Sequence, residues 1–85
     1  MTDDTWETYE ELVGRVVTPL VEFPDQLVVT TSSREDVVLI ELQVNPSDSG
    51  RVIGKGGETI RAIRTLIELS ATRRGARAHF ELRDG

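Results

Sequence analysis

The 85-residue sequence predicts an α+β domain in the order α-β-β-α-α-β, with a three-stranded mixed sheet and three helices on one face. Three observations carry that prediction. Apolar residues recur at helical spacing ahead of Pro19 and again after Glu58. Two β-branched, apolar runs lie close together before Asn45, and a third closes the chain. A glycine cluster, Gly54-Lys55-Gly56-Gly57, divides the stretch between the second and third runs into two helices.

Asp4 and Glu7 read as an N-cap and its N3 partner. Trp6, Tyr9, Val13, Val16, Val17 and Leu20 follow at helical spacing, which assigns the two aromatic rings to core packing or a partner interface rather than to base stacking. Pro19 disfavours helix at Thr18, so the helix is expected to end or kink there. Phe23-Pro24-Asp25 is a turn, and Gln26 to Thr31 is the first strand. Ser32-Ser33-Arg34-Glu35-Asp36 is a five-residue polar connection to the second strand, Val37 to Val44, which makes the pair an antiparallel hairpin. Ile40, Leu42 and Val44 share one face of that strand, while Glu41 and Gln43 share the other.

Asn45-Pro46 starts a short helix, with a capping side chain and proline at the first position, and the helix runs to about Ile53. Beyond the glycines a longer helix spans about Glu58 to Thr72, with Ile60, Ile63, Leu66 and Ile67 as its buried stripe. Arg73-Arg74-Gly75 suits a helix C-terminus. The last strand is Arg77 to Leu82, with Ala78, Phe80 and Leu82 inward and His79 outward. Two intervening helices form a crossover, so this strand is expected to run parallel to the second.

Composition limits the function. The chain is expected to be one small domain over 1–85, with 1–4 disordered. Without cysteine there is neither a disulfide framework nor a thiolate metal site, and one histidine, His79, is too few for a histidine cluster. No apolar run reaches the roughly 20 residues of a membrane span, and the acidic N-terminus does not suit a secretory signal, so a soluble cytoplasmic protein is expected. With no carboxylate pair in an evident pocket, an enzyme is not expected, and no cofactor or metal is implied. The net charge is −5, but it is unevenly spread: residues 1–48 carry eleven acidic and two basic side chains, and residues 49–85 carry four and eight. The glycine cluster lies in the basic half, as a local footprint for a polyanion would require.

A loop with three glycines in four residues exposes its backbone amides. At a helix N-terminus those amides and the helix dipole favour an anion, and Lys55 adds a positive charge. The mononucleotide and dinucleotide patterns both fail. A Walker A loop needs four residues between its first glycine and Gly-Lys, whereas Gly50 and Gly54 are separated by three and Lys55 is followed by Gly56. In the Gly-x-Gly-x-x-Gly pattern, Gly54 and Gly56 fit but Thr59 stands at the third glycine, and the chain is too short for a doubly wound sheet.

The element order, with Gly54-Lys55-Gly56-Gly57 between the two central helices, resembles the KH domain in its type II arrangement. Val44 to Ile53 resembles the segment leading into the signature turn, and Arg61-Ala62-Ile63-Arg64-Thr65 the helix after it. Leu20-Val21-Glu22-Phe23-Pro24 resembles the helix-to-strand turn of the small bacterial single-KH proteins of the KhpA type. The resemblance implies binding of about four nucleotides of single-stranded RNA. Gly54, Lys55, Gly56 and Gly57 would meet phosphates, and Val52, Ile53 and Ile60 would floor the bases. Arg51 and Arg61 would add attraction, with Arg64 either contributing or pairing with Glu68. It also implies a homodimer, or a heteromer with a larger KH-containing RNA-binding protein. Glu58 stands where relatives often carry a basic residue; its carboxylate suits the helix N-terminus but repels phosphate, so weak single-copy binding is expected. The competing expectation is a protein–protein adaptor whose interface is the acidic first half and the aromatic residues of the first helix.

Overall fold

The computed structural model describes residues 7–84. The elements are α1 (Tyr9–Val17), β1 (Val28–Arg34), β2 (Val37–Val44), α2 (Ser49–Ile53), α3 (Glu58–Arg73) and β3 (Arg77–Asp84), in the predicted order. The sheet order is β1-β2-β3; β1 pairs antiparallel with β2, and β3 pairs parallel with it. Strand alternation brings Val29, Leu42 and Leu82 into one row and Thr31, Ile40 and Phe80 into the next, on the face that the helices cover. Val13 and Val17 of α1, Val52 of α2, and Ile63 and Ile67 of α3 complete the core with Val38, Ile40, Leu42, Val44 and Phe80. This is an α+β fold consistent with a type II KH-like domain.

The start of α1 differs from the expectation. Thr8 is the N-cap: its hydroxyl accepts from the Glu11 amide at 3.0 Å, and the Glu11 carboxylate accepts from the Thr8 amide at 2.9 Å. Thr8-x-x-Glu11 is itself a capping box, and it sits one turn ahead of Val13, where burial begins. Asp4, Trp6 and the expected disorder of 1–4 lie outside the described residues. Tyr9 packs against the core, with the Arg74 guanidinium 4.5 Å from its ring centroid. The α-helix ends at Val17 and gives way to a 3₁₀ turn over Thr18–Leu20, where Pro19 stands.

β1 is shifted from its expected position. Gln26 belongs to a 3₁₀ turn, Pro24–Gln26, closed by the Leu27 amide on the Pro24 carbonyl at 3.2 Å, and its side chain accepts from Asn45 Nδ2 at 2.9 Å. At the other end Ser32, Ser33 and Arg34 pair with Leu39, Val38 and Val37, so the hairpin turn is two residues, Glu35 and Asp36, not five. Polar side chains concealed strand there because they face solvent, while their backbones complete the ladder. Glu35 takes the left-handed conformation, with φ 58°. The Asp36 carbonyl accepts from the Arg77 amide at 2.8 Å and so sets where β3 begins.

α3 buries Ile63, Ile67 and Ala71, with Ile60 half-buried. Leu66, expected in that stripe, is 44 % exposed. It lies about 100° around the helix from Ile67, and the small Ala71 continues the stripe where Leu66 does not.

Asp48 is the buried polar group among the described residues, at 0 % exposure. Its Oδ1 accepts from the Glu22 amide at 2.9 Å, its Oδ2 accepts from the Phe23 amide at 3.0 Å, and Arg51 Nε lies 3.2 Å from Oδ1. One carboxylate thus joins the loop between α1 and β1 to the start of α2. Two charge-assisted hydrogen bonds and a cation offset the cost of burying its charge.

Candidate nucleic-acid interface

α2 stops because Gly54 turns out of helical conformation, with φ 77° and ψ 171°. No side chain fits there: a Cβ on Gly54 would stand 2.2 Å from Thr59 Oγ1 and 2.7 Å from Thr59 Cβ. Gly56 (φ 63°, ψ 15°) and Gly57 (φ 76°, ψ 15°) follow in left-handed conformation. A Cβ on Gly56 would meet open space, so only its conformation demands glycine. The turn is closed by the Gly54 amide on the Gly50 carbonyl at 2.9 Å and by the Gly57 amide on the Gly54 carbonyl at 3.1 Å. The Lys55 and Gly56 amides fall between these bonds, at the positive end of the 16-residue α3. Lys55 is exposed and makes no ion pair with any described residue. Glu58, at the first position of α3, is exposed beside it.

Beside the turn lies an open, mostly apolar groove of about 500 Å³. α2 contributes Ser49 and Ile53, α3 contributes Ile60 and Arg64, and β3 contributes Phe80, Glu81 and Leu82. Ile53 and Ile60, which line the groove, flank the turn in sequence. β3 is a sheet edge, and alternate backbone groups along it have no strand partner.

The structure gathers Gly54, Lys55, Gly56, Gly57, Ile53 and Ile60 into one place. It separates three others. Val52 is fully buried, with 0 % exposure, so its side chain belongs to the core and not to the groove floor; adjacent helical residues diverge by about 100°, and Ile53 alone reaches the surface. Arg51 is drawn onto Asp48 and, at 3.5 Å, Glu22, away from the groove-lining Ser49 and Ile53. Arg61 folds back, its Nη1 donating to the Gly56 carbonyl at 3.0 Å. Arg64 lines the groove and makes no ion pair with Glu68. The wall formed by β3 escaped the sequence reading. Phe80 and Leu82 do face inward as expected; what the pattern does not show is that their strand, lying at the edge, leaves them at the rim.

The family model described as KhpA/KhpB, KH domain, matches residues 10–82. The chain belongs to the KhpA/KhpB KH-domain family. That match spans both walls of the groove and the whole turn. Among curated relatives, the RNA-binding protein KhpA of Bacillus subtilis (strain 168) is 37 % identical over 84 residues, 99 % of this chain and 100 % of the relative. The RNA-binding protein KhpA of Treponema pallidum (strain Nichols) is 39 % identical, covering 88 % of this chain and 94 % of the relative. That of Clostridium acetobutylicum is 36 % identical, with 86 % and 97 % covered. No solved structure matches the chain. Among the described residues no helix is long and apolar enough to cross a membrane, and no group of three or more His, Cys, Asp or Glu side chains is placed to hold a metal.

Proposed function

We propose that this chain is a non-catalytic, cytoplasmic module that binds single-stranded RNA, with the Gly54-Lys55-Gly56-Gly57 turn holding the phosphate backbone and the adjoining groove taking bases. One observation carries the reading: an exposed lysine and left-handed glycines form the N-terminus of α3, between Ile53 and Ile60, which line an apolar groove. A phosphate at the turn gains the amides, the helix dipole and Lys55, and the bases of the same strand then lie against Ile53 and Ile60. The relatives named RNA-binding protein KhpA support the same ligand.

A single module offers few phosphate contacts, and Glu58 opposes them, so binding is weak and salt-sensitive. The chain then works as a homodimer or with a larger KH-containing RNA-binding protein, because joining two weak sites raises avidity. Such an assembly suits an RNA chaperone in post-transcriptional regulation. Leu66 and Leu69, 44 % and 56 % exposed on α3 and outside the groove lining, favour a protein contact there. They also give the adaptor reading its one specific support.

The deciding experiment replaces Lys55 and Gly56 together with aspartate and measures binding of a labelled single-stranded RNA by fluorescence anisotropy. Aspartate tolerates the left-handed conformation and Gly56 has open space around it, so the variant folds. A loss of at least about tenfold is expected, since two negative charges replace one positive at the clamp. Unchanged affinity in the folded variant would sink the role of the turn and leave the adaptor reading in possession.

A further inference from the structure

Of the ten basic side chains nine are arginines, and Lys55 is the one lysine in the chain. The difference is chemical. A guanidinium keeps its proton throughout the pH range of proteins, whereas a lysine amine is a nucleophile that acylation turns into a neutral amide. Of these ten cations, one can lose its charge by that route, and it stands inside the Gly54–Gly57 turn.

The amine is open to a reagent. Lys55 is exposed, and its side chain makes no hydrogen bond or ion pair with any described residue. Glycines stand on both sides of it, so no adjacent side chain screens it, and a Cβ added to Gly56 would meet nothing within 4 Å.

The nearby cations do not stand in for it. Arg51 lies 3.2 Å from Asp48 and 3.5 Å from Glu22, and Arg61 donates to the Gly56 carbonyl at 3.0 Å. Glu58, three residues on, is exposed at the first position of α3. While Lys55 is charged, the two side chains balance there. Once Lys55 is acylated, the carboxylate of Glu58 remains without that balance.

We propose that Lys55 is a site of Nε-acylation by an activated acyl donor such as an acyl phosphate, and that the modification releases RNA by turning the charge at the turn from balanced to negative. The unprotonated Nζ attacks the acyl carbon. The bond from that carbon to the phosphate oxygen breaks, inorganic phosphate leaves, and the amine proton passes to water. The acylation stands on the exposure of Lys55; its consequence rests on the RNA-binding reading of the turn.

The test has two arms. In the first, the full chain is incubated with acetyl phosphate beside an N-terminally blocked Gly-Lys-Gly-Gly peptide, and acylation is mapped by mass spectrometry. Lys55 should be modified at a rate comparable to that of the peptide lysine. Protection by more than about tenfold would mean that the folded turn shields the amine, and the proposal falls. In the second arm, acetyl-lysine is installed in place of Lys55 during synthesis, and binding of a labelled single-stranded RNA is measured by anisotropy. Affinity should fall at least about threefold at about 50 mM salt, and the salt slope by about 0.7, the share of one phosphate contact. Lys55→Arg, whatever its own affinity, should keep that affinity through acetyl phosphate treatment, while the unaltered chain should lose affinity as modification proceeds. If the acetyl-lysine chain binds as tightly as the unmodified one, the charge of Lys55 does not govern release, and the proposal falls. If the unmodified chain binds RNA but Lys55 resists acylation, the RNA reading stands and this proposal alone falls. If the unmodified chain binds no RNA, the RNA reading falls and the switch with it. Far-UV circular dichroism of the acetyl-lysine chain should match that of the unmodified chain, because Lys55 is exposed.

Discussion

The guanidinium of Arg61 donates to the carbonyl of Gly56 at 3.0 Å, across the turn that begins α3. This bond changes what Arg61 contributes. It fixes the peptide plane that joins Gly56 to Gly57, and with it the end of the turn where α3 begins. Arg61→Ala is expected to weaken RNA binding about three- to tenfold, the cost of one charge-assisted hydrogen bond. The salt slope should stay unchanged, because no phosphate contact is lost. A slope reduced by about 0.7 would instead show Arg61 meeting a phosphate directly.

The three glycines of the turn are unequal. Gly54 is held both by its φ of 77° and by Thr59, which leaves no room for a Cβ. Gly56 is held by conformation alone. Gly54→Ala should cost about 2–3 kcal/mol in urea unfolding, whereas Gly56→Asn should cost less than about 1 kcal/mol. Equal losses at the two sites would contradict the close approach of Thr59 to Gly54.

Asp48 predicts a stability effect remote from RNA. Asp48→Ala strips the Glu22 and Phe23 amides of their acceptor and Arg51 of a partner. A loss of about 2–4 kcal/mol is expected from chemical denaturation. Asp48→Asn keeps one carbonyl acceptor and should lose roughly half as much. Because Arg51 is 55 % exposed, water resolvates it, and Arg51→Gln should cost under about 1 kcal/mol.

Glu58 makes the affinity adjustable. Glu58→Lys removes a negative charge and adds a positive one where the backbone of a bound strand would pass. Binding should tighten about three- to tenfold at 50 mM salt, and the gain should shrink as salt approaches 0.5 M. Helix stability should fall by about 0.3–1 kcal/mol, since an acidic residue suits that end of the dipole. Equal affinity at low salt would place the strand away from the start of α3.

The hairpin offers a stabilising change. Glu35 holds φ 58° without the freedom of glycine. Glu35→Gly relieves that conformation at some cost in unfolded-state entropy, and a net gain of about 0.5 kcal/mol is expected as a raised urea midpoint. A lowered midpoint would show the Glu35 side chain contributing more than its backbone costs.

The sequence made the helices and β2 readable because their apolar spacing has a period, and Asn45-Pro46 and Gly75 mark their ends. It hid the end of β1, because Ser32, Ser33 and Arg34 pair through their backbones while their side chains face water. It showed the turn residues of the candidate site, since glycine and lysine declare their own chemistry. It did not show that Arg51 is occupied by Asp48, that Val52 is sealed in the core, or that Arg61 folds back on Gly56. Each of these depends on where a side chain goes after the backbone is set, and residue spacing does not encode it. The β3 wall was missed for a similar reason: Phe80 comes to Ile60 only through the crossover that lays β3 along the sheet edge.

The bonds that shape the turn run between Gly50 and Gly54, Gly54 and Gly57, and Gly56 and Arg61, and none of these reaches the sheet. The proposed grip and the scaffold are therefore separable in this chain. Substitutions at Lys55 or Glu58 can retune or reverse the charge seen by a passing strand while the core beneath keeps its packing. In the proposed assembly, a copy rewritten this way stays folded and keeps its place, so a loss of grip would act as interference with its neighbours and not as simple absence.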